Sequence, residues 1–174
     1  SVASTIAQYR GPLGHIFVNI HPSEFHADIL TDPEEPLAAV ADRVVLEVTE
    51  RASLSGGAVL KEHLRQIRQR GYRVAVDDLG EGYAGLASLV HLRPDVVKVD
   101  MSLVRNIHQE GLKQDIVAAV VDLARRSKIL VVAEGIETVE ERQILLDLGV
   151  DLFQGYLFAR PAPSFVKPEV QFAC

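Results

Sequence analysis

The sequence predicts an α/β protein built on parallel strands, with most of a (β/α) barrel favoured over an open sheet. Three observations carry this. Six short apolar runs rich in valine and isoleucine recur along the 174 residues. Amphipathic segments with helical spacing lie between several of them, the pattern of strands joined by helical crossovers. Each run also delivers a carboxylate, amide or amine near its C-terminal end. In a barrel such side chains converge on one mouth, whereas in an open sheet they spread along an edge.

The runs are HIFVNI (15–20), RVVLEVT (43–49), RVAVDDL (73–79), VVKVD (96–100), ILVVAEGI (129–136) and DLFQGYLF (151–158). Between the first two, the proline-bearing acidic stretch 27–42 predicts a loop and a short helix. Residues 57–71 place Leu60, Leu64 and Ile67 on one helical face and stop at Gly71, a C-terminal cap. Residues 115–128 predict a second helix, with Arg125, Arg126 and Lys128 near the end where the helix dipole favours cations. Residues 138–149 predict a third, opened by Thr138 and Glu141 in capping-box spacing. No linker or low-complexity segment divides the chain, so a single domain over 1–174 is expected.

About half of the residues are apolar, enough for a real core, and the net charge is −6. An acidic chain with no basic face is not expected to bind duplex nucleic acid. Cys174 is the only cysteine and can form no internal disulfide, which fits a reducing cytoplasm. With no signal-peptide pattern and no run long enough to span a bilayer, no membrane contact by this segment is expected. The chain begins at Ser1, which reads as a fragment or a processed product.

The polar strand-end residues are Asn19, Glu47, Asp77 with Asp78, Lys98, Glu134 and Gln154. Two adjacent aspartates closing an apolar strand set like charges close together, which is unfavourable unless a cation lies between them. Bound metal is the expectation, with a helix-capping or loop role as the alternative. An ammonium in an apolar strand, as at Lys98, is costly without a carboxylate. The six histidines share no ligand spacing and read as solvent-facing or structural.

The segments FVNIHP, LEVTE, VAVDDLGEGYAGL, DVVKVDMSLV, VVAEGIE and FQGYLFARPAP resemble, in order, the motifs of the EAL family of bacterial cyclic-di-GMP phosphodiesterase domains. The resemblance runs from about residue 15 to residue 163. It implies a modified TIM barrel that opens cyclic-di-GMP to linear pGpG with two divalent cations. On matching positions, it implies that Asn19, Glu47 and Asp77 hold the first metal. Asp77 would bridge to the second, with Asp78 and Glu134 beside it. All are hard oxygen donors suited to Mg2+ or Mn2+. Lys98 would orient the attacking water or neutralise charge at phosphorus. Glu137 and Gln154 would support the site from behind, and Glu50 would brace the loop after Asp78, which contains Gly80. For Glu50, Glu137 and Gln154, simple pairing with neighbours is the alternative. The resemblance further implies a homodimer formed through the loop after Asp78, and an upstream sensory or GGDEF domain.

The departures from the pattern define a second reading. No E-A-L tripeptide occurs in the chain, so the resemblance implies an incomplete barrel that lacks the first strand, its helix and a metal-binding glutamate. The family's D-F-G-T/A-G-Y-S-S stands here as Asp78-Leu79-Gly80-Glu81-Gly82-Tyr83-Ala84-Gly85, and His21 takes the place of a serine. The alternative is a degenerate, inactive EAL domain that binds cyclic-di-GMP or a protein partner.

Overall fold

A computed structural model describes residues 14–21, 24, 30, 32, 34, 36–49, 57–80 and 85–162. The strands are β1 (Ile16–Asn19), β2 (Val44–Thr49), β3 (Arg73–Leu79), β4 (Val96–Val99), β5 (Leu130–Ala133) and β6 (Leu152–Phe153). The helices are α1 (Gly57–Gln69), α2 (Gly85–Leu92), α3 (Met101–Val104), α4 (Gly111–Ser127) and α5 (Val139–Asp147), with 3-10 turns at Ala38–Arg43 and Ile107–Gln109. The strands lie in one sheet in chain order, β1 to β6. The β1–β2, β2–β3 and β5–β6 pairs are parallel. Strands that follow chain order through helical crossovers have barrel topology, as the sequence predicts.

The chain divides into two compact units, one of residues 1–77 and 82–96, the other of 78–81 and 97–174. In the first, β2 is buried along Val44–Val48 and β3 along Val74–Asp77. Burial on both faces explains why these strands read as continuous apolar runs. Leu60, Leu64 and Ile67 of α1 are all buried, as their spacing predicts. In the second unit, Val97–Val99 of β4 are buried, as are Val117, Val121 and Ala124 of α4 and Leu145 of α5. Each such side chain contributes roughly 1.5–3 kcal/mol relative to an exposed position.

One stop signal recurs after the longer helices. The Tyr72, Ile129 and Val150 amides reach back to the Ile67, Ala124 and Leu145 carbonyls. The preceding residues, Gly71, Lys128 and Gly149, are left-handed. This is the Schellman arrangement, which satisfies the last helical carbonyls and turns the chain into the next strand. A second device pins the strand starts. The Val74 amide donates to Asp95 Oδ2 at 2.9 Å and its carbonyl accepts from the Asp95 amide at 2.8 Å. Val131 and Asp151 repeat the pair at 2.9 and 3.2 Å.

Three boundaries differ from the sequence expectation. The helix expected at 115–128 starts at Gly111. Its added turn is tied down by Lys113 Nζ on the Arg105 carbonyl and Gln114 Nε2 on the Ile107 carbonyl. The strand expected to run to residue 136 stops at Ala133, and Gly135 is left-handed. There a Cβ would lie 2.5 Å from Met101 Cβ, so only glycine fits without displacement. The final strand, expected over 151–158, keeps only Leu152–Phe153. The Phe158 and Ala159 amides bond the Gly155 carbonyl, folding the aromatic stretch into a turn. Gly155 lies so close to Ile136 that a Cβ would overlap that residue's backbone. Among the described residues no helix is long and apolar enough to cross a membrane.

Candidate metal centre at the strand ends

In the first unit, parallel register places Asn19 opposite Glu47 and Glu47 opposite Ala75. Asp77 lies two residues beyond Ala75 and so shares its face of the sheet. Asn19, Glu47 and Asp77 therefore share one face. Glu47 and Asp77 are buried although ionisable, while Asn19 is exposed.

Regular strand alternation would send the side chains of Asp77 and Asp78 to opposite faces. Asp78 breaks the alternation with φ +59°. This left-handed backbone costs on the order of 1–3 kcal/mol for most residues, and aspartate tolerates it better than most. Asp78 and Glu134 belong to the second unit, and Asp77 is joined to Asp78 by a peptide bond. One carboxylate oxygen from each of Asp77, Asp78 and Glu134 lies within 4.8 Å of the other two. They form the one group of this kind among the described residues.

Glu134 follows β5, its amide held by the Val99 carbonyl at 3.1 Å. Its Oε1 lies 2.7 Å from Lys98 Nζ, and the lysine side chain is only 4% exposed. The expectation that a lysine inside an apolar strand needs a carboxylate is thus met by a named partner. The three carboxylates crowd like charges into one partly buried place beside the Lys98 ammonium. A divalent cation offsets that charge, and an all-oxygen donor set suits magnesium, manganese or calcium. The cluster can hold a metal ion.

The other expected residues are placed as follows. Gly80, directly after β3, has φ +118°, and a Cβ there would meet the tip of Leu103. Gln154 is exposed after β6; its backbone donates to the Ala133 carbonyl and accepts from the Ile136 amide. Glu137 pairs with Arg105, at 2.7 Å to Nη1 and 2.8 Å to Nη2. Glu50 lies outside the described residues, as does most of the loop after Gly80.

Two residues near this end were not singled out for the site from sequence. Arg105 carries no motif. Glu141 is visible in sequence only as a helix cap, and the capping box with Thr138 is present. Its fully buried carboxylate also accepts from the Asn106 amide, 35 residues away. Burial by itself raises the pKa of Glu141. The Glu137, Asn106 and Thr138 amides and the Arg105 charge outweigh it, and the group is held below the usual carboxylate range.

The profile of the EAL domain family matches residues 1–161. The chain is 40% identical over 121 residues to the cyclic di-GMP phosphodiesterase PdeF of Escherichia coli K12, covering 70% of this chain and 16% of PdeF. It is 34% identical over 136 residues to the blue light- and temperature-regulated antirepressor BluF of the same organism, covering 76% of this chain and 34% of BluF. Among solved structures, Klebsiella pneumoniae BlrP1 in a manganese/cyclic-di-GMP complex superposes with a TM-score of 0.84 at 38% identity, covering 92% of this chain and 42% of BlrP1. A calcium/cyclic-di-GMP complex of BlrP1 matches with a TM-score of 0.82. The chain thus spans well under half the length of these relatives. With the family profile matched over residues 1–161 and the sequence and structural similarities just given, this chain belongs to the EAL domain family of cyclic-di-GMP phosphodiesterases.

Proposed function

We propose that this chain carries the catalytic face of a metal-dependent phosphodiesterase that opens cyclic-di-GMP to linear pGpG. The observation that best supports this is the buried Lys98–Glu134 ion pair beside Asp77 and Asp78. A module that only packs against a partner has no need of three crowded carboxylates and a buried ammonium. Asn19, Glu47 and Asp77 would hold one divalent cation, and Asp77, Asp78 and Glu134 the other, as Mg2+ or Mn2+. When bound, two such cations lower the pKa of a coordinated water and offset charge on an in-line transition state.

The remaining work falls to the chain's own groups. Glu134 Oε1 accepts from Lys98 Nζ and fixes where the ammonium points. Lys98 then presents a preset positive charge to the phosphoryl oxygens as negative charge grows on them, at its most effective where water is excluded. Glu137, tied to Arg105, and Gln154 support this end of the sheet. Glu50 and Gly80 belong to the segments that would receive the ligand. In the net reaction water adds to phosphorus, one ester P–O bond breaks, and the ribose oxygen departs as a hydroxyl. Residues 1–174 would act as one cytoplasmic domain. Pairing with a second copy through the segment after Asp78, and an upstream sensory or GGDEF domain, complete the reading.

The similarity to an antirepressor supports a second reading, an inactive domain that binds the dinucleotide or a protein partner without hydrolysis. Incubating the chain with cyclic-di-GMP and Mg2+ or Mn2+, with an EDTA control, separates the two by chromatography. Metal-dependent pGpG is expected. Intact dinucleotide, together with calorimetric binding, would establish the second reading instead.

A further inference from the structure

Glu141 is fully buried on α5, yet its carboxylate serves two segments outside that helix. Oε1 accepts from the Asn106 amide at 2.9 Å. Oε2 accepts from the Glu137 amide at 2.9 Å and the Thr138 amide at 3.2 Å. Asn106 lies on the segment that leaves β4, the strand of Lys98. Glu137 and Thr138 close the segment that leaves β5 through Glu134. One carboxylate therefore clamps the two connections that follow the two halves of the Lys98–Glu134 pair.

A cap alone needs only the exchange with Thr138, where the Glu141 amide donates to Thr138 Oγ1 at 3.2 Å. The bond to Asn106 adds nothing to the helix. Asn106 is left-handed, at φ +57°, a conformation asparagine tolerates better than most residues and one that aims its amide at Glu141. Between Glu134 and Glu137 the chain has further anchors. Gly135 is pressed against Met101, and the Ile136 amide bonds the Gln154 carbonyl at 3.1 Å. The Arg105 guanidinium stands 3.9 Å from Oε1 and pairs with Glu137, so a positive charge also faces the clamp.

We propose that Glu141 is a positioning residue of the metal centre, fixing the Glu134 carboxylate against Lys98 by holding both connections at once. The proposal rests on the metal-binding reading given above. Coupling of this kind is reciprocal, so a metal held by Glu134 must in turn tighten the Glu141 clamp.

The test compares the unaltered chain with Glu141→Gln and Thr138→Ala, titrating each with Mn2+ by calorimetry and following its melting temperature. Glu141→Gln removes one acceptor oxygen while keeping shape. It is expected to weaken Mn2+ binding about tenfold, within the range seen when groups behind metal ligands are altered. Thr138→Ala breaks the cap but leaves the clamp, and is expected to lower the melting temperature with Mn2+ affinity unchanged. If both variants lose affinity in proportion to lost stability, Glu141 is a cap only and the proposal fails. If the unaltered chain binds no Mn2+, the metal reading fails and this one with it. Amide hydrogen exchange on the unaltered chain keeps the proposal exposed should Glu141→Gln not fold. Saturating Mn2+ is expected to slow exchange at Asn106, Glu137 and Thr138, and unchanged rates there would overturn the clamp.

Discussion

At the start of β3 the Val74 amide is held by Asp95, and at the start of β5 the Val131 amide is held by Asp151, in nearly the same geometry. At their far ends the same strands share nothing. β3 finishes in an aspartate pair with a left-handed turn at Asp78, and β5 gives way to Glu134 bonded to Lys98. The starts of β3 and β5 repeat one device that sets register, whereas their C-terminal ends carry different polar groups, Asp77 with Asp78 on one and Glu134 on the other. Repetition is what stability asks of a βα unit. Variation, accompanied by crowded charge and unusual backbone, is what chemistry asks of it. Substitutions at the two ends should therefore separate cleanly into folding effects and activity effects.

The sharpest division is expected from Asp77→Asn, which keeps shape and removes one of the crowded charges. Hydrolysis should fall below detection and Mn2+ affinity should drop. Unchanged turnover would refute the two-metal assignment. Lys98→Ala comes next, with kcat expected to fall about 10²–10³-fold, the scale of losing one preset charge stabiliser. The Michaelis constant should change far less. A loss confined to affinity would move Lys98 from the reaction to ligand binding.

At the opposite end the effect should reverse in kind. Asp151→Ala leaves the Val131 amide without its acceptor and should cost about 1–3 kcal/mol of stability in urea denaturation. Turnover per folded molecule should not change. If Asp151→Ala lowered kcat at constant stability, the contrast between the two ends would collapse.

The smallest expected effect is acid sensitivity through Glu141. Its folded pKa lies below its unfolded value of about 4.3. Its contribution is therefore complete above the unfolded value and is lost as pH falls through the folded one. Melting temperatures taken from pH 6 down to pH 3 should fall more steeply for the unaltered chain than for Glu141→Gln. Parallel curves would show that the carboxylate is not stabilised in the fold.

How much of this was legible in sequence follows from the range of the interactions. Period and burial are local, so the six strands, the Leu60–Leu64–Ile67 face and the Thr138–Glu141 cap could be read directly. The strand-end donors could be read too, because parallel strands joined by helices carry their C-terminal ends to one side. Lys98 called for a carboxylate partner, but periodicity could not say that Glu134 supplies it. Adjacency in sequence marked Asp77 and Asp78 as a pair, but strand alternation sets their side chains apart, and the left-handed backbone at Asp78 leaves no local pattern. The Asn106–Glu141 bond spans 35 residues and leaves no local pattern. The last strand extends less far than expected because the apolar and aromatic residues of DLFQGYLF carry a strand pattern on both sides of Gln154 and Gly155, while Gly155 against the Ile136 backbone turns the chain.

The central claim is that the strand-end carboxylates form a metal centre. It is tested most directly by a Mn2+ titration of melting temperature on the unaltered chain and on Asp78→Asn. The unaltered chain should show a saturable rise, worth about 2.7 kcal/mol at a hundredfold excess over Kd, and Asp78→Asn should show little or none. No rise in the unaltered chain, or an equal rise in both, would contradict the claim.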